Sequence, residues 1–341
     1  MTQMPTPDVR LAQLARRRLL AGGAGSFLLG LLTACSSSSD ADVPGSASLQ
    51  SPSQTPTSST DSAPSTSAAP TTSATTATPD PLPAGLVNVL AIGSDTRDES
   101  GFTGRSDAII VVQLNPERTH INLVSIPRDV TSGGSKINAA YARGGTSRLA
   151  EQVSATLGGI PIHLTVETTF GRFIAIMELL GGVTVQNRIA SHSFGPAFPA
   201  GPLYINGDAA LSYNRERKGL PNGDLDRTER HRATLTGIVA KVHEVYTTMP
   251  EKMQSLVPGL YENVRVRDLS LEQAMALLDF APRLTEASVT SVMLPISGFS
   301  STGGFSDVVD QVQTAELVAA LNTGDLTGYV ATYGTGTDLT G

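Results

Sequence analysis

Short apolar runs alternate with amphipathic segments over residues 86–325 of the chain. Several runs are largely apolar, rich in β-branched residues and bounded by turn residues, which is typical of strands in a mostly buried sheet. The predicted strands lie at 86–92, 108–114, 121–126, around Val183 and Val185, and at 289–294.

Between these runs, apolar residues recur three and four positions apart, which predicts helices with one buried face. The predicted helices follow Gly144-Gly145 up to Gly158, run from Thr168 to Gly181, open on a capping box at 226–229, begin after Ser270, and include Leu317 and Leu321. Because strands and helices alternate, we predict an α/β fold in which a central sheet is covered by helices on both faces.

The N-terminus has the form of an export signal. A basic segment with three consecutive arginines precedes a glycine-broken apolar stretch at 19–32, which is shorter than the ~20 residues of a membrane-spanning helix. This stretch ends in Leu-Thr-Ala followed by Cys35, the one cysteine of the chain, and resembles a bacterial lipobox. We therefore predict a lipoprotein-type signal peptide over 1–35 with lipidation at Cys35. A short membrane anchor with an incidental cysteine is the alternative, and general or twin-arginine export both remain open.

Composition divides the rest of the chain. Residues 36–84 are rich in Ser, Thr, Pro and Ala, so they predict a disordered tether. The segment 85–325 has the length of one catalytic domain, and the Gly- and Thr-rich 326–341 is expected to be a loose tail. A net charge of −7 and a pI near 5.3 argue against a nucleic-acid binder.

Charged residues concentrate at the predicted strand ends. Asp95 follows the first strand, and Asp107 precedes the second, two residues after Arg105. Proteins usually bind Mg²⁺ through one or two carboxylates, and phosphate oxygens and water complete its coordination shell. Ordinary turn chemistry explains the same residues without a metal.

A second group follows the third strand. Arg128 and Asp129 come directly after Pro127, which fixes the exit of the chain, and Lys136 lies in the next loop. A local salt bridge is the alternative to a functional role.

Arginines cluster again further along the chain. Arg215 and Arg217 alternate in a stretch predicted to be extended, so both would point to one face. Arg227 and Arg230 are predicted to share a face in the first turns of a helix. Cations there oppose the helix dipole, which favours an anionic ligand that compensates for them. Together with the acids, these arginines indicate a phosphate-binding site.

In this order, the motifs Gly-Ser-Asp-x-Arg, Arg-Ser-Asp, Ile-Pro-Arg-Asp, Lys-Ile-Asn-x-Ala-Tyr, Gly-Gly-Val-x-Val and Arg-x-Arg…Asp-x-x-Arg-x-x-Arg resemble the LytR-CpsA-Psr family over residues 86–325. The resemblance implies an α-β-α catalytic domain with Mg²⁺ or Mn²⁺ held by Asp95 and Asp107. It implies catalytic roles for Arg105, Asp107, Arg128 and Asp129. The residues implied to bind pyrophosphate are Arg97, Arg105, Arg128, Lys136, Arg215, Arg217, Asp224, Arg227 and Arg230. His231 departs from the family pattern, which commonly has glutamine at that position.

The function implied is extracytoplasmic phosphoryl transfer. A glycopolymer would move from a polyprenyl diphosphate carrier to a peptidoglycan hydroxyl, on a protein anchored by lipid to the outer face of the cytoplasmic membrane. A polyprenyl-diphosphate phosphohydrolase and a non-catalytic lipoprotein that binds wall polymer remain the alternatives. No nucleic-acid partner is expected.

Overall fold

A mixed six-stranded sheet is the central element of the computed structural model, which describes residues 79–96, 104–192, 195–301 and 305–336. The strands in chain order are β1 Val87–Ser94, β2 Ser106–Leu114, β3 Ile121–Ser125, β4 Thr131–Ser132, β5 Ser135–Lys136, β6 Leu164–Thr169, β7 Val183–Asn187, β8 Gly201–Ile205, β9 Arg265–Arg267, β10 Val289–Met293, β11 Ile296–Ser300 and β12 Ser306–Val309. The helices are α1 Asn138–Thr156, α2 Phe170–Leu180, α3 Gly207–Arg215, α4 Asp224–Thr248, α5 Met253–Glu262, α6 Leu271–Ala276, α7 Gln311–Thr323 and α8 Thr327–Tyr333.

The topology of this sheet gathers several strand ends at one edge. The spatial order is β10-β3-β2-β1-β6-β9. β2 runs antiparallel to both β1 and β3, whereas β6 is parallel to β1 and β10 is parallel to β3. The carboxyl ends of β1, β3, β6 and β10 therefore meet the start of β2 at the same edge. Ligands of open α/β sheets bind at such edges.

Helices cover both faces of the sheet. Alternate residues of each strand point to opposite faces, so the two faces contribute to different cores. Leu90, Ile109 and Val111 belong to the larger core, which also contains residues of α1, α7 and α8. Ile110 and Leu123 belong to a separate core that includes residues of α4. A third apolar cluster joins α2, α3, α4 and α5 to the β7–β8 hairpin. The predicted α/β fold with helices on both faces is confirmed.

Several local predictions are wrong at element boundaries. α4 begins at Asp224, and its N-cap is Gly223 with φ 54°, so 226–229 is not a capping box. Asp226 instead accepts hydrogen bonds from the backbone N (2.7 Å) and Nδ2 (3.1 Å) of Asn222. α1 begins before Gly144 and continues past a kink there, since Gly144 and Gly145 have non-helical backbone angles.

The two ends of the domain are also more ordered than predicted. Arg118 donates to the carboxylate of Asp80 (2.9 Å) and to the carbonyl of Pro83 (2.7 Å), and Leu82 is buried. The last residues assigned to the tether, 79–84, therefore pack on the domain. The region expected to be a loose tail contains α8, and the backbone N of Met293 donates to the carbonyl of Thr335 (3.0 Å).

Within the described ranges, no helix combines the length and apolarity that crossing a bilayer requires.

Candidate functional site

A β-bulge sets the direction of Asp107. Gly93 pairs with Ala108 and Ser94 with Ser106, so Asp107 is the extra residue between two ladder positions. Bulges re-aim side chains and are common next to active sites. The bulge turns the Asp107 carboxylate toward the chain that follows β3.

That chain presents Arg128 and Asp129 in a tight turn. Pro127 ends the exit from β3, and its carbonyl accepts a hydrogen bond from the backbone N of Val130 (3.2 Å). The carbonyl of Arg128 accepts from the backbone N of Asn138 (3.2 Å), which ties the turn to the start of α1. The turn that carries both side chains is thus fixed by backbone hydrogen bonds.

Two acids and two arginines form the centre of the site, which we call the acid–arginine cluster: Asp107, Arg128, Asp224 and Arg227. Arg128 donates through Nη1 to Asp107, and its Nε lies 3.8 Å from Oδ1 of Asp224. Nη2 of Arg227 lies 2.6 Å from Oδ1 of Asp224, and its Nη1 lies 3.8 Å from Oδ2 of Asp107. Each arginine therefore links both acids.

The cluster retains unused hydrogen-bonding capacity. Among the described residues, the buried Nε of Arg128, the Nε of Arg227 and both carboxylate oxygens of Asp224 have no hydrogen-bond partner. The Asp224 oxygens nevertheless lie close to cations, so they are ion-paired without aligned hydrogen bonds. Buried polar groups in proteins are normally satisfied, and exceptions concentrate where function requires them.

Burial and charge act against each other in the cluster. Burial lowers the pKa of Arg128, but the carboxylates of Asp107 and Asp224 raise it, and the net direction is upward. Burial dominates for Arg227, whose pKa is lowered although Asp224 and Asp107 oppose the change. Burial likewise raises the pKa of Asp224 despite its two arginines. The cluster is consequently an arrangement of charges that is costly to bury.

Asp129 belongs to a neighbouring group of charges. Its Oδ1 lies 2.9 Å from Nζ of Lys136 and accepts a weaker hydrogen bond from Asn138 (3.5 Å). Its carbonyl accepts a hydrogen bond from the backbone N of Asp307 (3.1 Å), so β12 adjoins this turn. Lys136, predicted to bind pyrophosphate, is thus paired with Asp129 here.

Asp307 was missed by the sequence analysis. Its side chain is buried, and its Oδ2 has no hydrogen-bond partner among the described residues. Burial is the main cause that raises the pKa of Asp307 to about 6. The like charges of Asp129 and Asp224 add to this shift, and Lys136 opposes it. No motif marks this residue, because it reaches the site only through the pairing of β12 beside Val130.

Three predicted ligand-binding arginines have exposed side chains: Arg105, Arg215 and Arg217. Arg215 ends α3, with its guanidinium 4.7 Å from the ring centroid of Phe170. The expectation that 215–217 forms one extended stretch is therefore wrong. Arg217 is close enough to Arg227 to lower its pKa. Exposed guanidiniums beside buried ones form a positive rim from which an anion can be captured.

Arg230, which the sequence groups with Arg227 as a ligand-binding residue, makes its hydrogen bonds to residues outside the acid–arginine cluster. Arg230 donates to the carbonyls of Tyr213 (3.3 Å) and Ile189 (3.1 Å) and to Oγ of Ser191 (2.8 Å). Its guanidinium also lies 4.4 Å from the ring centroid of Tyr213. It is buried and holds α4 against the segment around β7 and α3. The charge opposed to the helix dipole at Arg227 is offset in part by Asp224 and Asp107.

His231 and Arg232 are likewise structural. The Nε2 of His231 lies 2.9 Å from the carbonyl of Asn214, so this nitrogen carries the proton and donates. Burial lowers the pKa of His231 to about 3, which keeps the ring neutral. Arg232 is buried and donates to Ser125 and Thr228 (3.3 Å) beneath the end of β3. His231 therefore supplies a hydrogen bond that fixes the chain just before Arg215.

Asp95 occupies a separate position at the end of β1. Its backbone N donates to the carbonyl of Arg105 (3.0 Å), and its Oδ1 accepts from the backbone N of Arg105 (2.8 Å). A Cβ added at Gly104 would lie 2.5 Å from that Oδ1. Any other residue at this position would therefore clash with the Asp95 carboxylate and distort the turn. Within the described ranges, Asp95 forms no ion pair with the acid–arginine cluster.

Asp95 and Asp107 could bind a divalent cation only if other ligands complete its coordination shell. Both are carboxylates at adjacent strand ends, which suits Mg²⁺ when phosphate and water complete the shell. The described residues contain no group of three or more His, Cys, Asp or Glu side chains arranged for a metal. Asp107 is also engaged by Arg128. The fit therefore depends on oxygens that the substrate brings.

Two predicted residues lie outside the described ranges: Arg97 and the lipidation site Cys35. The signal segment 1–35 and the tether up to residue 78 lie outside them as well.

Comparison with known proteins identifies the family of the chain. The sequence profile of the LytR_cpsA_psr family matches residues 51–323. The chain belongs to this family. A relative from Bacillus anthracis, named polyisoprenyl-teichoic acid–peptidoglycan teichoic acid transferase TagU, is 38% identical over 161 residues, which are 46% of this chain and 52% of the relative. The chain thus spans about half the length of this relative. A TagU from Enterococcus faecalis is 33% identical over 248 residues, covering 69% of this chain and 80% of that protein.

Solved structures of this family agree with the fold. Bacillus subtilis TagV superposes with a TM-score of 0.62 at 25% identity, covering 71% of this chain and 98% of that one. A structure of TagT bound to LI-WTA superposes with a TM-score of 0.56 at 25% identity. The match covers 70% of this chain and 90% of the TagT chain. The LytR_cpsA_psr fold therefore accounts for most of the described domain.

The exposed arginines of this LytR_cpsA_psr member lead to a binding prediction. We expect Arg215→Ala and Arg217→Ala each to weaken the binding of a polyprenyl diphosphate by about one to two decades, since a charge-assisted hydrogen bond is worth roughly 1.5–3 kcal/mol. Both side chains are exposed, so the thermal unfolding midpoint should barely change. Arg148→Ala, at an exposed arginine of α1 that pairs with Glu151 (3.1 Å), is the matched control. Calorimetric affinities equal to wild type in both variants would remove these residues from the ligand site.

Proposed function

We propose that the protein is an extracytoplasmic phosphotransferase that moves a phosphate-linked glycopolymer from a polyprenyl diphosphate carrier to a hydroxyl of peptidoglycan. The observation that carries the proposal is the acid–arginine cluster, with exposed arginines around it, at the edge where the strands of a LytR_cpsA_psr fold end. The names of the relatives, which specify transfer of teichoic acid from a polyisoprenyl carrier to peptidoglycan, support the same reaction class.

In the proposed reaction, an acceptor oxygen attacks the phosphorus next to the glycopolymer. The bond from that phosphorus to the bridging oxygen breaks, and polyprenyl phosphate leaves with the bonding electrons. Arg128 and Arg227 face both acids of the cluster and supply fixed positive charge for the oxygens that become more negative. Arg105, Arg215 and Arg217 bind the diphosphate from the exposed side.

The acceptor hydroxyl must lose a proton, and Asp129 is the better placed of the two acids considered for this role. Asp107 is engaged by Arg128 through one oxygen and faces Arg227 with the other. The polar contacts of the Asp129 side chain fall on Oδ1. We propose that Asp129 accepts the proton and that Lys136 and Asn138 fix its orientation.

We further propose that Asp95 and Asp107 hold Mg²⁺ or Mn²⁺ together with phosphate oxygens. When bound, the cation would neutralise charge on the diphosphate. Asp95 is preorganised for this purpose, because its Oδ1 is fixed by the backbone N of Arg105.

The proposed function is tested by incubating the full chain with a polyprenyl-diphosphate-linked glycopolymer and peptidoglycan. We expect glycopolymer bound to peptidoglycan through a phosphodiester, with release of polyprenyl phosphate. Release of glycopolymer phosphate to water without attachment would favour the hydrolase. Binding without either product would favour the non-catalytic lipoprotein.

We also propose that Cys35 carries the lipid anchor, because it is the only cysteine and follows Leu-Thr-Ala. Cys35→Ala should move the protein from the detergent phase to the aqueous phase on detergent partitioning. Mass spectrometry of the mature wild type should show an acylated N-terminus at residue 35. A mature N-terminus elsewhere, or one without an acyl mass, would contradict the anchor.

A further inference from the structure

Inside the exposed arginines Arg105, Arg215 and Arg217, acids outnumber cations at the proposed diphosphate site. The carboxylates are Asp107, Asp129, Asp224 and Asp307, and the cations are Arg128, Arg227 and Lys136. Three of the acids have a cation within 4.0 Å, and Asp307 has no such ion pair among the described residues. Asp307 is therefore the acid whose charge is least compensated.

The surroundings of Asp307 oppose its ionisation from several sides. Its side chain is 3% exposed, and its Oδ2 has no hydrogen-bond partner within the described part of the chain. The charged groups that face it are Asp129 from the turn after β3, Lys136 from β5 and Asp224 from α4. Two of these three are negative, so a bound proton is favoured on Asp307 more than on an ordinary aspartate.

A diphosphate would add negative charge to this group. It would pair with Arg128 and Arg227 and so reduce the positive potential that they contribute at Asp107 and Asp224, which leaves the charge of Asp224 near Asp307 less compensated. The ionised form of Asp307 would then be still less favourable, since no cation contacts it directly. The least costly response is uptake of one proton from the solvent.

We propose that Asp307 is a further residue of the anion site, a buried carboxyl that takes up a proton when a diphosphate binds to the acid–arginine cluster. This inference rests on the proposed function, because it takes the ligand to be a diphosphate. Asp307 acts on the ligand through the charge of its neighbours and not by contact, so it is a positioning residue.

The linkage has a definite sign. In the free protein the pKa of Asp307 is raised to about 6, and bound anion should raise it further. Between these two pKa values, binding requires proton uptake, so affinity decreases as the pH rises. Below pH 6, Asp307 is already protonated, and affinity should be nearly independent of its titration.

The experiment measures binding of farnesyl-diphospho-N-acetylglucosamine to the full chain by calorimetry between pH 5.5 and 8 at a fixed magnesium concentration. Both phosphates of this probe are esterified, so it lacks the ionisation near pH 6 of a phosphate monoester. We expect the wild-type affinity to fall about tenfold or more across the range. Titrations in buffers of different ionisation enthalpy should show net proton uptake near pH 7.

Asp307→Asn should abolish both signals. Its affinity should change less than about twofold with pH and should exceed that of the wild type at pH 8. Asp307→Ala provides a second neutral variant if the amide perturbs the hairpin. The control is Asp310→Asn, because Asp310 caps α7 by accepting from the backbone N of Gln313 (2.9 Å) and asparagine caps equally well. The control should behave like wild type.

The outcomes separate this inference from the proposed function. If wild type and both Asp307 variants bind with the same pH dependence and the same proton uptake, Asp307 is not the linked group and only this inference is overturned. If the wild type does not bind the probe at any pH, the assignment of a polyprenyl diphosphate substrate is overturned together with it.

Discussion

Arg128→Ala should lower glycopolymer transfer by about three orders of magnitude, while binding of the polyprenyl diphosphate weakens far less. Arg128 links Asp107 to Asp224 from inside the cluster, with a side chain only 16% exposed. A preorganised cation that faces the developing negative charge of a phosphoryl transfer is worth about 10³ or more in rate. The exposed arginines should still capture the ligand.

Two comparisons sharpen this prediction. Arg128→Lys keeps the charge but cannot reach both acids with a planar fork, so its rate should recover only in part. Arg148→Ala removes an arginine that pairs with Glu151 on the exposed face of α1, and it should leave the rate unchanged. If Arg128→Ala keeps its fold by thermal unfolding and transfers at close to the wild-type rate, the cluster does not stabilise the transition state.

The sequence predicted the location of the site because that location follows from short-range patterns. The apolar runs correspond to β1, β2 and β3 to within about two residues at most ends. Since Asp95, Asp107 and Arg128 adjoin those runs, their positions at one sheet edge follow from an alternating α/β order. The sequence also predicts the end of α2 at Gly181, because glycine is the usual residue where a helix ends in the left-handed conformation. Gly181 adopts that conformation, with φ 71°.

What the sequence could not predict depends on partners distant in the chain. Arg227 and Arg230 are equivalent on a helical wheel, but the first contacts Asp224 and the second donates to the carbonyls of Tyr213 and Ile189. Asp307 reaches the site through an isolated bridge with Val130, nearly 180 residues earlier in sequence. Periodicity describes one element at a time, so it carries no information about either contact.

The structure adds contacts to two of the predicted pyrophosphate-binding residues. Asp224 places its carboxylate near the guanidiniums of Arg128 and Arg227. Lys136 pairs with Asp129. The candidate site is therefore a network in which acids and cations contact one another.

Asp107→Asn should reduce transfer by about a hundredfold or more, because the carboxylate serves two purposes. It holds Arg128 and faces Arg227, so the amide removes a negative charge that positions both guanidiniums. It is also a proposed ligand of Mg²⁺. The loss should be greatest at low Mg²⁺ and only partly relieved at high Mg²⁺, since mass action refills a weakened metal site but does not restore the contacts of the arginines.

Asp95→Asn separates these two purposes. Among the described residues, Asp95 forms no ion pair with an arginine, and the amide oxygen of the variant can still accept from the backbone N of Arg105. We therefore expect its transfer rate to approach that of the wild type at saturating Mg²⁺, with half-saturation at a Mg²⁺ concentration about ten times higher or more. Asp279→Asn, at an exposed acid on a distant 3₁₀ turn, should behave like wild type at every concentration. A wild-type response of Asp95→Asn, together with a Mg²⁺-independent loss in Asp107→Asn, would mean that Asp107 acts through Arg128 and Arg227 alone, and the proposed cation site would be wrong.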